Sequence, residues 1–221
     1  MFVYRFSFFR FFEEANYKLA YVDLERVPDD QDLDSLVQDL DGVEGVILDL
    51  RGYPEGCAWK FSSRFIQGGK NLPMARMAQP IIALGGRGKS SLCYDQVNPF
   101  FKRANRSVKQ EEGMKVAILI DEGAISHAEH VGLAFEAACF CPVTFIGSST
   151  MGANGNVVSL SLPGGLNMSF TGMDVRHGDG RQLQRVGLVP HIPVRPTIED
   201  VREGRDVVLD RAIAFLTKPI S

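Results

Sequence analysis

Ser126, followed by His127, Ala128 and Glu129, comes just after an apolar run, Val116-Ala117-Ile118-Leu119-Ile120, and an Asp121-Glu122-Gly123 turn. This order puts a hydroxyl at a strand-to-helix corner. The first N–H groups of a helix have no partner inside it, so such a serine lies beside a ready-made anion site. That arrangement suits attack on a carbonyl, with main-chain N–H groups holding the oxygen that turns negative. The same four residues also spell a capping box, S-x-x-E, which satisfies helix N–H groups without any chemistry. Spacing alone favours the cap, because serine is a preferred N-cap residue. A nucleophilic reading also needs a base within reach of the hydroxyl.

Other chemistry-bearing clusters are weaker. Gly85-Gly86-Arg87-Gly88-Lys89-Ser90 misses a phosphate loop because Ala83 stands where the first glycine belongs. His127 and His130 are three apart, whereas a zinc-protease helix needs two histidines at i and i+4 with the acid beside the first. Asp174, His177 and Asp179 share a glycine-containing turn, where carboxylates usually make local turn hydrogen bonds. No metal or cofactor is expected.

The elements that must position Ser126 follow from periodicity. Leu19 to Leu24 reads as a buried strand. Leu33, Leu36, Val37 and Leu40 have helical spacing behind an acidic start, and Val46 to Leu50 is an apolar run of the parallel-sheet type. Strand, helix and strand make a βαβ unit. A helix is expected over Trp59–Ile66, a strand over Val143–Ile146, and a hairpin over Val157–Leu162 and Leu166–Thr171 around Pro163-Gly164-Gly165. Asp206 caps a last helix with Leu209, Ala212, Ile213 and Leu216 inward. From Gly68 to Gly113 three prolines and six glycines weaken every signal, apart from a candidate strand at Pro80–Leu84. Three loops, 51–58, 121–127 and 147–156, fall at strand ends, where open α/β sheets bind ligands.

The 221 residues suffice for one large domain, and 45% hydrophobic content supports a full core. A net charge of −3 without a long basic stretch argues against nucleic acid. The cysteines, Cys57, Cys93, Cys139 and Cys141, lack zinc or redox spacing, and the Cys139–Cys141 pair reads as small apolar packing. The aromatic N-terminus with interspersed arginines is too short and too charged to span a bilayer and makes a poor signal peptide. It reads as an edge segment over residues 1–18, ahead of one core domain over 19–221.

In this order the three loops resemble the catalytic core of the S41 serine peptidases, a family that includes carboxyl-terminal processing (tail-specific) proteases, the tricorn core and interphotoreceptor retinoid-binding protein repeats. Asp49 to Gly56 resembles the family's D-L-R-x-N-x-G-G segment, and Ile120 to Glu129 its S-x-A-E corner. Phe145 to Gly152 resembles V-G-x-x-T-x-G. Gly187-Leu188-Val189-Pro190, with Val194 to Thr197, resembles the closing G-V-x-P-D-x-x-V. The likeness runs from about residue 19 to 216.

The resemblance implies an α/β fold of the ClpP/crotonase-like kind, with parallel strands, flanking helices and a late antiparallel hairpin. It also implies peptide-bond hydrolysis through an acyl-enzyme on Ser126. By the same resemblance, the His127 N–H is expected to form half of an oxyanion hole and Gly56 the other half, with Gly52, Tyr53 and Gly152 at the substrate. The family lysine is missing after Gly152, where Ala153 and Asn154 stand. Gln184 occupies the place of the tricorn-type glutamate, and His191 the place of an aspartate. The catalytic histidine is therefore either outside these residues or His177. The implied partners are a polypeptide substrate and a second copy or an N-terminal lobe, and relatives are often exported. The alternative expectation is a peptide- or lipid-binding module without a complete base. A crotonase-type acyl-CoA enzyme fits the serine corner poorly.

Overall fold

Apolar runs without alternation become the buried centre of a sheet. The computed structural model describes residues 4–6, 8–27, 30–54, 56–66, 72–81, 90–101, 107–109, 111, 113–140 and 142–218. In chain order its main-sheet strands are β1 (Tyr4–Phe6), β2 (Phe9–Glu14), β3 (Tyr17–Asp23), β4 (Gly45–Asp49), β7 (Lys115–Ile120), β8 (Val143–Gly147) and β12 (Ile192–Pro193). They are hydrogen-bonded in that same order. From β3 onward the pairs are parallel, and β1 and β2 extend one edge antiparallel. Every residue of β4 is buried, and all of β7 after Lys115, as expected of strands covered on both faces.

Period-two alternation divides these strands between two cores. Val46, Leu48, Val116, Ile118 and Ile120 face a layer that includes α1 (Asp30–Asp39), α2 (Cys57–Ser63) and α3 (His127–Ala138), with Leu33, Val37, Phe61, Val131 and Phe135 packed inside. Ile47, Ala117 and Leu119 face the other way, onto Val208, Ala212 and Leu216 of α5 (Val207–Leu216). A short α4 (Ile198–Glu203) precedes it. The expected βαβ unit is β3-α1-β4. The α/β class with parallel strands, flanking helices and antiparallel hairpins is what the chain forms.

The expected late hairpin is present as β9 (Val157–Leu162) and β10 (Leu166–Thr171). The stretch with weak signals differs from expectation. It holds a nine-residue strand, β5 (Pro73–Ile81), paired with β6 (Ser90–Val97) and with β11 (Asp174–His177) in a second sheet of order β11-β5-β6. Proline donates no ladder hydrogen bond, but β11 pairs only with Ala75 to Ala78. Pro73 and Pro80 lie beyond that span, opposite Val97 and Ser91 of β6. Asp174 and His177 are thus on a strand rather than in a turn. Residues 82–84 of the candidate strand, most of the glycine-rich 85–90 segment and Cys141 lie outside the described residues.

One ion-pair cluster joins the strand ends to the last helix. Arg51 reaches Asp49 with Nε to Oδ1 (2.9 Å) and Nη2 to Oδ2 (2.6 Å), and reaches Asp206 with Nη1 (2.9 Å) and Nη2 (2.7 Å). Tyr21 donates to the same Asp49 Oδ2 at 2.7 Å. Burial works against the Arg51 charge, but the two carboxylates outweigh it and hold its pKa above the ordinary value. Asp206 also caps α5, accepting from the Leu209 N–H at 3.0 Å.

Candidate active site

β7 ends at Ile120, and the chain turns through Asp121, whose Oδ1 accepts from the Gly123 N–H at 2.9 Å. It enters α3 at Ser126 with φ 54° and ψ −106°. A side chain at positive φ is strained by roughly 1–3 kcal/mol, and such strain collects at functional positions. The Ser126 N–H is held by the Ala153 carbonyl at 2.9 Å, and its own carbonyl accepts from the His130 N–H at 3.0 Å.

The capping-box expectation is overturned here. Ser126 makes no side-chain cap bond. Glu129, fully buried, turns instead to the loop after β8, where its Oε1 accepts from Thr150 Oγ1 and from the Gly152 N–H, both at 2.6 Å. The two residues that spell a cap have been drawn off to separate tasks. A real capping box occurs at Thr197 and Asp200, at the start of α4.

The Ser126 residue is half-buried and opens onto a cavity of about 210 Å³ lined by Trp59, Met77, Gln96, His127, His130 and the 154–156 loop. Trp59 stacks with His130 at 4.9 Å between ring centroids and with His127 at 5.7 Å. His130 Nε2 is 2.9 Å from Gln96 Oε1, and its Nδ1 is 3.4 Å from Asn154 Nδ2. Burial pushes the His130 imidazole down to about 4, nearby His127 adds to this, and Asn154 opposes it weakly. His130 is therefore neutral at pH 7. A histidine one turn after the serine lines the same cavity because residues four apart share a helix face. That spacing was readable, but sequence reasoning weighed His130 only as a zinc ligand.

The loop that closes the cavity has its own backbone logic. At Gly147 (φ +131°) an added Cβ lands 2.0 Å from the Ile120 carbonyl oxygen, so only glycine lets β8 turn across the end of β7. Ser148 donates to Glu122 through its hydroxyl and to the Ile120 carbonyl through its N–H at 3.1 Å. The Met151 N–H donates to the Ala124 carbonyl at 3.0 Å.

The expected site residues divide into two groups. His127 opens α3 at its positive end and lines the cavity with Ser126. Tyr53 is exposed, with its ring 6.0 Å from that of His127. Gly56 begins α2, three residues before Trp59, and Gly52 packs against Glu25. Gly152 lies behind the cavity, tied to Glu129. His177 is directed elsewhere: its Nδ1 is 2.7 Å from Glu136 Oε2, whose partner oxygen takes Arg181 at 2.7 Å. Glu136 is ten residues along the helix from Ser126, a rise of about 15 Å. Gln184 supports the loop, donating from Nε2 to the carbonyls of Asn154 (2.5 Å) and Met173 (2.7 Å). His191 is structural: its Nδ1 accepts from the Phe145 N–H at 2.9 Å and its ring stacks on Phe145. Asp174 and Asp179 pair with Arg176 and Arg181.

The sequence model of Peptidase family S41 matches residues 18–194. No curated protein matches the sequence significantly. Among solved structures, a candidate peptidase of Parabacteroides merdae ATCC 43184 is similar with a TM-score of 0.70 and 18% identity, over 97% of this chain and 67% of that one. A candidate S41 protease of Bacteroides fragilis NCTC 9343 gives 0.58 and 16%, over 95% and 57%. Mature CPAF complexed with lactacystin gives 0.66 and 13%, over 94% and 53%. The chain thus spans between about half and two thirds of the length of these proteins, and at such identities the likeness is one of fold. No helix among the described residues is long and apolar enough to cross a membrane.

Proposed function

The chain belongs to peptidase family S41, and from that premise we propose that it is a serine peptidase that hydrolyses peptide bonds through an acyl-enzyme on Ser126. The observation that carries this reading is the backbone at Ser126. A residue held at φ 54° and ψ −106°, with no capping bond from its hydroxyl, has a conformation that helix capping does not explain.

In this reading Ser126 Oγ attacks the scissile carbonyl carbon, and the oxygen of that carbonyl takes the negative charge. The His127 N–H at the start of α3 and the Gly56 N–H at the start of α2 receive it. Each such donor contributes about 3–4 kcal/mol to the transition state. The amine leaves with a proton, and water then attacks the acyl carbon and frees Ser126. The serine proton needs an acceptor. The His127 ring is stacked on Trp59, His130 faces Gln96 and Asn154 and has a depressed pKa, and His177 is engaged by Glu136. We therefore assign the base to a group that enters the cavity from its open side, outside the described residues.

The test is labelling of the chain with a fluorophosphonate probe. Wild type labels and Ser126→Ala does not. A folded wild-type chain that fails to label contradicts an assembled nucleophile. The second reading, a peptide-binding module, draws on the low basicity of His130. It predicts tight peptide binding without labelling, unchanged in Ser126→Ala.

A further inference from the structure

The hairpin β9–β10 carries no charged residue from Val157 to Thr171, and every one of its strand residues is exposed. Its register pairs Val158 with Phe170, Leu160 with Met168 and Leu162 with Leu166. Residues two apart share a face, so all six of these apolar side chains lie on one side, each between 39% and 65% exposed. Apart from Val157 at its start, the opposite side is polar and locked, with Ser159 Oγ 3.0 Å from Ser169 Oγ and Ser161 donating to Asn167 at 2.9 Å. Those cross-strand bonds fix the register and so preform the apolar face.

We propose that this face is a docking surface for the polypeptide substrate, holding an extended apolar segment of it beside the Ser126 cavity; the proposal rests on the peptidase reading above. Two observations select this occupant. The hairpin is continuous with the cavity: Gly155 and Asn156 line it, Val157 begins β9, and the Gly172 N–H after β10 donates back to the Asn156 carbonyl at 2.9 Å. The size is also informative. Six such side chains form a patch of a few hundred Å², in the range where exposed apolar patches mark contact sites. A stable dimer needs about 800 Å² from each copy, more than this face offers. An extended segment of four or five residues, at about 3.3 Å each, matches its length of about 15 Å. Without charges, the face selects for apolar side chains and tolerates many sequences.

The test compares the full chain with Leu160→Thr/Met168→Thr, whose exposed positions and β-branched replacements leave the hairpin able to form. Circular dichroism and the thermal midpoint check folding. The binding probe is fluorescein-labelled β-casein, an unfolded apolar-rich chain, followed by anisotropy, and in this assay every chain also carries Ser126→Ala so that the casein stays intact. Its affinity falls at least tenfold in the double variant and is unchanged in the polar-face control Ser161→Thr. Equal casein affinity in wild type and the double variant overturns the proposal. So does a wild-type dimer, seen by sedimentation, that the double variant dissolves without loss of casein binding. Fluorophosphonate labelling, run in parallel with a probe too small to need the hairpin, reports on Ser126 alone. A failure of the peptidase reading is thereby told apart from a failure of the docking surface.

Discussion

Glu129, in the first turn of α3, accepts the Gly152 N–H at 2.6 Å from across the loop that follows β8. One buried carboxylate thus ties the helix carrying the serine to the loop that closes its cavity. Ser126 is fixed from the same loop by the Ala153 carbonyl, so the site is held by bonds between elements rather than by the helix start alone.

Removing that carboxylate is expected to be costly. Glu129→Ala leaves the Gly152 N–H and the Thr150 hydroxyl without their acceptor in a buried place, a loss of about 2–4 kcal/mol. Glu129→Gln keeps an acceptor oxygen and costs less than half as much. Urea midpoints of the two variants measure this, and equal midpoints contradict the assigned role.

Ser126 itself is expected to be a net strain on the fold. Ser126→Gly removes the penalty of a side chain at positive φ and stabilises the chain by about 1–2 kcal/mol. Ser126→Ala keeps the Cβ and changes stability little, because no capping bond is lost. A capping serine behaves in the opposite sense, with alanine costing about 1 kcal/mol. Thermal or urea unfolding of the two variants separates these outcomes.

Acid sensitivity is expected from His130. Burial holds its pKa at about 4 in the folded chain, against the ordinary histidine value of about 6.5. Between those values the unfolded state binds a proton and the folded state does not, so stability falls as the pH drops through that window. From pH 7 to pH 5 the loss is about 2 kcal/mol. His130→Phe flattens this slope, read from urea midpoints at the two pH values. Below the window the slope from this residue vanishes, and carboxylates such as Glu136 take over. Burial works to raise Glu136, but His177 and Arg181 hold it below its ordinary value, so its contribution is lost as the pH falls through that lowered pKa.

The layers of the fold were legible because burial writes itself into periodicity. The runs at 46–50 and 116–120, and the 3.6-residue spacing at Leu33 to Leu40, have one stable solution each. β5 and β6 were not legible, because Pro73 and Pro80 read as strand breakers, yet β5 runs through both, with β6 opposite each (Val97 and Ser91) and β11 only along Ala75 to Ala78. At the site, the serine corner was readable from turn and spacing. The fate of Glu129 was not. Its pull toward Gly152 arises from a contact 23 residues away in sequence, and local spacing suggested a cap. His177 and Gln184 show the same limit: their residue types fit catalytic roles, while the positions of Glu136 and of the 154–156 loop decide what they touch.

The Arg51 cluster has a consequence for the order of events during synthesis. A growing chain completes Asp49 and Arg51 early, but the second carboxylate for that guanidinium arrives only with Asp206, 155 residues later. Until then the loop beside the cavity lacks its anchor on the far side of the sheet. The loop after β4 therefore reaches its final geometry only after a stretch of chain more than two thirds the length of this sequence has been added behind it, so its shape is set by a late long-range contact rather than by its own residues.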